Sequence, residues 1–245
     1  MNYRDGFNSI PPVVKNLIIV NVLMLLATFV LERVGIDLYK YLGLYFPLSE
    51  NFRLHQIFTH MFMHGGLTHL FFNMFALYMF GRVLESVWGP KRFLTFYLVT
   101  GIGAATLHTF VNFIEYNHTA AQISPEQVAY VKEVGYGLWA EGKNFSDPLL
   151  GKLNIALNTP TVGASGAVFG ILLGFGMLFP NTQLMLLFPP IPIKAKYFVM
   201  GYGAIELYLG FSNSGGNVAH FAHLGGMLFG YFMIKYWNKN SKRFY

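Results

Sequence analysis

Thr161-Val-Gly-Ala-Ser-Gly-Ala-Val-Phe-Gly170 heads a long apolar run, and its reading decides the fold. Gly166, Gly170 and Gly174 recur at every fourth position. One face of the helix they imply therefore lacks side chains, and a second helix backbone can approach it closely. Near the C-terminus Ala222, Gly226 and Gly230 repeat that spacing, with His223 on much the same face. Such repeats by themselves indicate helix packing. Ser165 and His223 at their outer ends add chemistry. A serine hydroxyl is a poor nucleophile until a base takes its proton, and histidine is the usual base because it titrates near neutrality. Packing the two small faces brings Ser165 and His223 together where water is scarce.

Composition sets the surroundings. The chain has 245 residues, 54% hydrophobic and 11% charged, with 18% aromatic. Soluble domains carry about a quarter charged residues, so this is an integral membrane protein whose aromatics suit headgroup layers. The net charge of +6 comes from bases scattered among short loops, with no basic stripe, which excludes nucleic acid as a partner. Cysteine is absent, removing disulfides, thiolate nucleophiles and Cys-ligated metals. Met1-Asn-Tyr-Arg-Asp-Gly6 has no apolar signal core or lipidation motif. The expectation is a multi-pass protein of a bacterial inner membrane.

A spanning helix needs roughly 20 apolar residues. Six candidates fall at about 14–32, 68–86, 93–114, 165–180, 197–212 and 219–237. They predict an all-α bundle of six transmembrane helices forming one polytopic domain over residues 1–245. Residues 33–67 are too interrupted to span and too apolar for a solvated loop, so they read as a partly embedded, interfacial first loop. Residues 115–164 read as an aqueous insertion between spans three and four, with one amphipathic helix. With six spans, both termini share a side. That side collects Arg4, Lys15, Arg82, Lys91, Arg92, Lys194, Lys196, Lys235, Lys239, Lys242 and Arg243 against Asp5 and Glu85. The excess of bases places both termini in the cytoplasm and the insertion outside. Ser165, His64, His69 and His223 then converge on one outer depth.

Two further residues complete the chemistry. His69 and Asn73 are four apart on one helix face in the outer half of the second span. Asn73 offers an amide donor to a developing oxyanion, or else glues helices together by hydrogen bonds. Ser165 starts its helix, so free backbone N–H groups lie beside it. No carboxylate accompanies the pair in sequence, and Glu206 reads as lying toward mid-membrane, which favours a Ser–His dyad over a triad. The eight histidines raise a metal or haem alternative, but no HExxH occurs and no acid stands beside a His pair. No metal and no cofactor are expected. His220 reads as a structural or rim residue.

Gly163-Ala-Ser-Gly166, Ala222-His-Leu-Gly-Gly226 with Gly230, and His64 with His69-x-x-x-Asn73 together resemble the rhomboid family of intramembrane serine proteases. The likeness covers residues from about 50 to 237 without the insertion. It implies Ser165 as nucleophile and His223 as base, with Asn73, His69 and the Ser165 N–H as oxyanion hole. It implies Phe169 packed against the catalytic histidine and Glu85 bracing the first-loop region. The family's substrates are transmembrane segments of other proteins, cut near the outer face of the bilayer. A Trp-Arg or Trp-Gln pair common in the family's first loop is His55-Gln56 here, and the insertion exceeds that of compact members. A catalytically silent relative that binds membrane clients is the alternative.

Overall fold

The computed structural model describes residues 10–185, 190–212 and 219–240. Arg4, Asp5, Lys242 and Arg243, which entered the orientation argument, lie outside the described residues. In chain order the helices are α1 (Pro12–Glu32), α2 (Leu38–Leu42), α3 (Gln56–Thr59), α4 (Leu67–Ala76), α5 (Arg82–Trp88) and α6 (Pro90–Ala120). They continue with α7 (Pro125–Ala140), α8 (Pro148–Asn158), α9 (Ser165–Leu178), α10 (Ala195–Ser212) and α11 (His220–Asn240). A π turn, Leu77–Gly81, joins α4 to α5 into one 22-residue rod. The all-α expectation needs one addition, an antiparallel hairpin of β1 (Gln183–Met185) and β2 (Pro192–Lys194).

Local sequence explains several starts. Prolines open α1, α6, α7 and α8, where a missing N–H has no helical partner to lose. Ser124 and Gln127 form a reciprocal capping box on α7, and Asp147 caps α8. Helix α1 has no side-chain cap of its own residues. Its cap comes from afar: buried Glu85 accepts from the backbone N–H groups of Val13 at 2.9 Å and Val14 at 2.8 Å. A carboxylate at a helix N-terminus satisfies free donors and meets the positive end of the helix dipole. Glu85 therefore braces α1, not the first-loop region expected of it.

Among the described residues, three helices are long and apolar enough to cross a bilayer: Pro12–Glu32, the Leu67–Trp88 rod and Pro90–Ala120. Helices also occupy the other three expected places, with α9 an apolar helix of 14 residues. Leu23, Leu26 and Val30 of α1, Phe71 and Phe72 of α4, and Met200 and Phe211 of α10 all face outward. Such an apolar exterior suits hydrocarbon, not water. Helix α9 lies at the centre, with nine of its 14 residues buried.

The first loop is tied by hydrogen bonds. Gln56 is completely buried, and its Oε1 accepts from the N–H groups of Arg53 at 3.0 Å and Tyr45 at 3.3 Å. Its amide donates to the carbonyls of Asn51 and Lys40. His55 Nε2 reaches the Tyr41 carbonyl at 2.8 Å. The His55-Gln56 departure thus supplies its own anchor. Leu44 and Thr161 exchange backbone hydrogen bonds of 2.9 and 2.8 Å, and the Gly163 N–H donates to the His60 carbonyl. This loop therefore grips the segment that leads into Ser165.

Residues 115–164 are more ordered than one amphipathic helix. Helix α6 runs on to Ala120, and α7 and α8 follow. Phe46 of the first loop packs with Tyr116, Val131, Leu153 and Leu157 in a separate small core. The expected insertion is a lobe welded to the first loop.

His60 and His64 are buried in this loop, and burial pushes both down to about 4, with nearby His69 adding to the effect on His64. Both rings are therefore neutral when folded, whereas the unfolded chain takes up protons below about pH 6.5. Stability is full above that value and falls with pH down to about 4, by on the order of 2 kcal/mol per ring at about pH 5. Thermal unfolding in detergent should show a drop between neutral pH and about pH 5, smaller in His64→Gln. A midpoint flat across that range would rule the explanation out.

Candidate active site

Ser165 is the first residue of α9, and His223 lies in the first turn of α11. Ser165 Oγ and His223 Nε2 are 2.9 Å apart. What lets two helices approach so closely is the absence of side chains at their crossing. A Cβ on Gly226 would collide with the carbonyl oxygen of Gly166, and one on Gly230 would lie 3.5 Å from Gly170 Cα. The glycine face of α9 itself points elsewhere. A Cβ on Gly166 would strike Ala104, and one on Gly170 would lie 2.6 Å from Thr100 Cβ, both on α6. Three helices, not two, share the small-residue seam. Thr100 and Ala104, themselves four apart, were missed because the small residues of α6 crowd into Thr100, Gly101, Gly103, Ala104 and Ala105 and do not mark out one face.

Phe169, one turn into α9, stacks on His223 with ring centroids 4.1 Å apart and 5° between planes. The stack fixes the imidazole plane so that Nε2 faces the serine. On the other side of Ser165, Gly163 leaves room for His69. A Cβ on Gly163 would sit 2.9 Å from His69 Nε2 and 3.6 Å from Ser165 Oγ, and its φ of +129° disfavours any other residue. Nδ1 of His69 accepts the Gly65 N–H at 3.3 Å, which leaves the ring proton on Nε2, toward this space. Asn73 is buried, and its amide Nδ2 has no hydrogen-bond partner among the described residues. A buried unpaired donor is costly to keep and fits a group held for a ligand or transition state. His64 packs edge-on to His69 at 5.0 Å with both nitrogens unpaired among the described residues.

The sequence alone suggests no carboxylate beside the pair, and the structure overturns that. Glu206 of α10 points inward, with Oε2 at 2.7 Å from His220 Nδ1 and 2.9 Å from His223 Nδ1. The first contact is an aligned hydrogen bond, while the second is close without hydrogen-bond alignment. His220 is likewise no rim residue: it is buried, pinned to this carboxylate. An acid inside an apolar helix demands a partner, and that was the overlooked signal. Glu206, His220 and His223 have ligand atoms within 4.8 Å of one another, a spacing that could hold a metal ion. As they stand, the oxygen contacts both nitrogens directly.

A model of the rhomboid domain matches residues 51–239. The chain belongs to the rhomboid family. RHOMBOID-like protein 12, mitochondrial, of Arabidopsis thaliana is 31% identical over 71% of this chain and 44% of its own length. Rhomboid protein 1, mitochondrial, of Saccharomyces cerevisiae is 27% identical over 74% of this chain and 42% of itself. Rhomboid protease AarA of Providencia stuartii is 25% identical over 69% of this chain and 51% of itself. This rhomboid thus spans about half the length of the relatives it matches. Relatives named for mitochondria do not fit the expected bacterial inner membrane; the apolar helices make the rhomboid a membrane protein.

Gly163→Ala tests the packing of the site. A side chain there meets His69 and a strained backbone, about 1–3 kcal/mol of local strain. Labelling of Ser165 by a fluorophosphonate probe should fall at least roughly tenfold while the protein still accumulates. Unchanged labelling would mean that Gly163 does not shape this space.

Proposed function

We propose that this rhomboid is an intramembrane serine endopeptidase that cuts transmembrane segments of other proteins near the outer face of the bilayer. The observation that carries the reading is the 2.9 Å contact between Ser165 Oγ and His223 Nε2 beside a buried, unpartnered Asn73 amide. The comparisons support it at family level, since one relative is named a rhomboid protease.

In this reading Ser165 Oγ attacks the scissile carbonyl as its proton passes to His223 Nε2. The tetrahedral oxyanion takes hydrogen bonds from Asn73 Nδ2, His69 Nε2 and the Ser165 backbone N–H. His223 then gives its proton to the leaving amine, and an acyl group stays on Ser165. Water enters, His223 takes its proton, and the acyl-enzyme hydrolyses. Preorganised donors act strongly because the site is enclosed and poor in water.

The membrane arrangement belongs to the same proposal. Helices α9, α10 and α11 complete six spans with α1, the Leu67–Trp88 rod and α6, in a single membrane domain with both termini cytoplasmic. At 14 residues α9 is about 21 Å long, short of a core of roughly 30 Å, so its start at Ser165 lies below the outer surface. Residues 33–67 then lie in the interface and residues 115–164 outside. A helical substrate must unwind before its carbonyl is free, and glycine near the bond eases this by about 1 kcal/mol relative to alanine.

Cleavage of a single-span test substrate in membranes, at matched expression, decides the matter. Wild type should cut, and Ser165→Ala and His223→Ala should not. Asn73→Ala should retain binding but lose about 10²–10³ in rate. Cleavage that survives Ser165→Ala removes the proposal. A wild type inert to both substrate and fluorophosphonate probe would favour a silent client-binding relative.

A further inference from the structure

Glu206 is a carboxylate inside an apolar helix that has few other inward contacts. On α10 only Ala195, Val199 and Glu206 are buried among the described residues. Its carboxylate meets the two histidines of α11. A charge taken out of water persists only with compensation, and here the compensation is two imidazoles one turn apart whose Nδ1 atoms converge on one oxygen.

We infer that Glu206 is the positioning residue of this site: held by His220, it fixes the His223 ring proton on Nδ1 and so leaves the Nε2 lone pair facing Ser165. The inference rests on the protease reading for its kinetic part only. A neutral imidazole carries one N–H and one lone pair, and an ionised carboxylate can only accept. With the carboxylate at Nδ1, the tautomer carrying hydrogen there is favoured. The opposite tautomer would set a lone pair against negative oxygen and an N–H against Ser165, where a base is needed.

The arrangement also favours the transition state selectively. When His223 takes the serine proton, its new positive charge appears 2.9 Å from Glu206 Oε2 in a poorly hydrated site. That attraction grows as the reaction proceeds, which is what accelerates it. The contact is close but unaligned at rest, and it tightens on protonation. The Phe169 stack prevents the ring from turning away. His69 of α4 and His108 of α6 also interact electrostatically with His223, and neither brings a negative charge. His220 acts differently, since its Nδ1–H donates to Oε2 at 2.7 Å and keeps the carboxylate on station.

The test combines kinetics with a signal independent of activity. Glu206→Gln should lower kcat by about 10²–10⁴ with KM little changed, because the amide keeps size and polarity but can stabilise the wrong tautomer. Glu206→Asp should recover part of that loss. In parallel, ¹⁵N spectra of histidine-labelled protein in detergent report the tautomer of His223, assigned by its loss in His223→Ala. Wild type and Glu206→Asp should carry the proton on Nδ1, and Glu206→Gln should shift it toward Nε2. Monodispersity and thermal unfolding identify any variant that has not folded. If Glu206→Gln does not fold, Glu206→Asp carries the test: a His223 proton on Nε2 together with a wild-type rate would overturn the inference. A folded Glu206→Gln with wild-type kcat and unchanged tautomer overturns it directly. An inert wild type whose His223 proton still depends on Glu206 would sink the protease reading and leave the pairing standing.

Discussion

Everything around the site depends on one steric condition: α9 and α11 touch backbone to backbone. At Gly226 there is no room even for a methyl group over the Gly166 carbonyl. Apolar side chains cannot drive two helices together in lipid, where the surroundings are equally apolar, so close packing of small residues holds them. That short approach lets a serine side chain with one rotatable bond meet an imidazole from the neighbouring helix. It also explains why α6 must join the seam, since Ala104 and Thr100 fill the face that α9 leaves bare.

Around this seam the rest of the molecule supplies rigidity at the one end where it matters. The first loop has little regular structure, yet Gln56 ties its strands of chain at several points and the Leu44–Thr161 pair fastens it to the approach to Ser165. Phe46 then inserts into the small core of the α7–α8 lobe. Loop, lobe and α9 become one body. At the other end α1 is pinned through Glu85, whose contacts with Val13 and Val14 span more than 70 residues of chain.

Polar groups buried in the interior are tolerated by several different means. Glu85 is satisfied by backbone donors, Glu206 by two imidazoles, and Gln56 by the carbonyls and N–H groups of its own loop. Asn21, Tyr45, Tyr97 and His108 carry buried polar atoms that no described group meets, and so do two residues near Ser165, Asn73 and His64. Both lie on the Ser165 side of the molecule, in the loop–α4 region. Unpaired polar atoms beside the Ser165–His223 pair support the catalytic role proposed for this site.

Much of this was legible in one dimension because it depends on periodicity. The apolar runs, the four-residue glycine spacing on α9 and α11, and the serine and histidine at their ends follow from helical repeat alone. His69 and Asn73 were also visible as one-turn neighbours. What the sequence could not reveal was direction across helices. Ser165 and His223 are 58 residues apart, and Glu206 and His220 are 14 apart, so their meeting depends on how each helix is rotated about its axis. A rotation of α10 by half a turn would send Glu206 into lipid. Sequence by itself determined the six long apolar stretches and the small faces of α9 and α11; only the tertiary structure decided that α7 and α8 form a lobe, that α6 lines the seam, that Glu85 caps α1, and that a carboxylate stands behind His223. The reason is physical: propensity and spacing act along a chain, whereas hydrogen bonds and steric contact act through space.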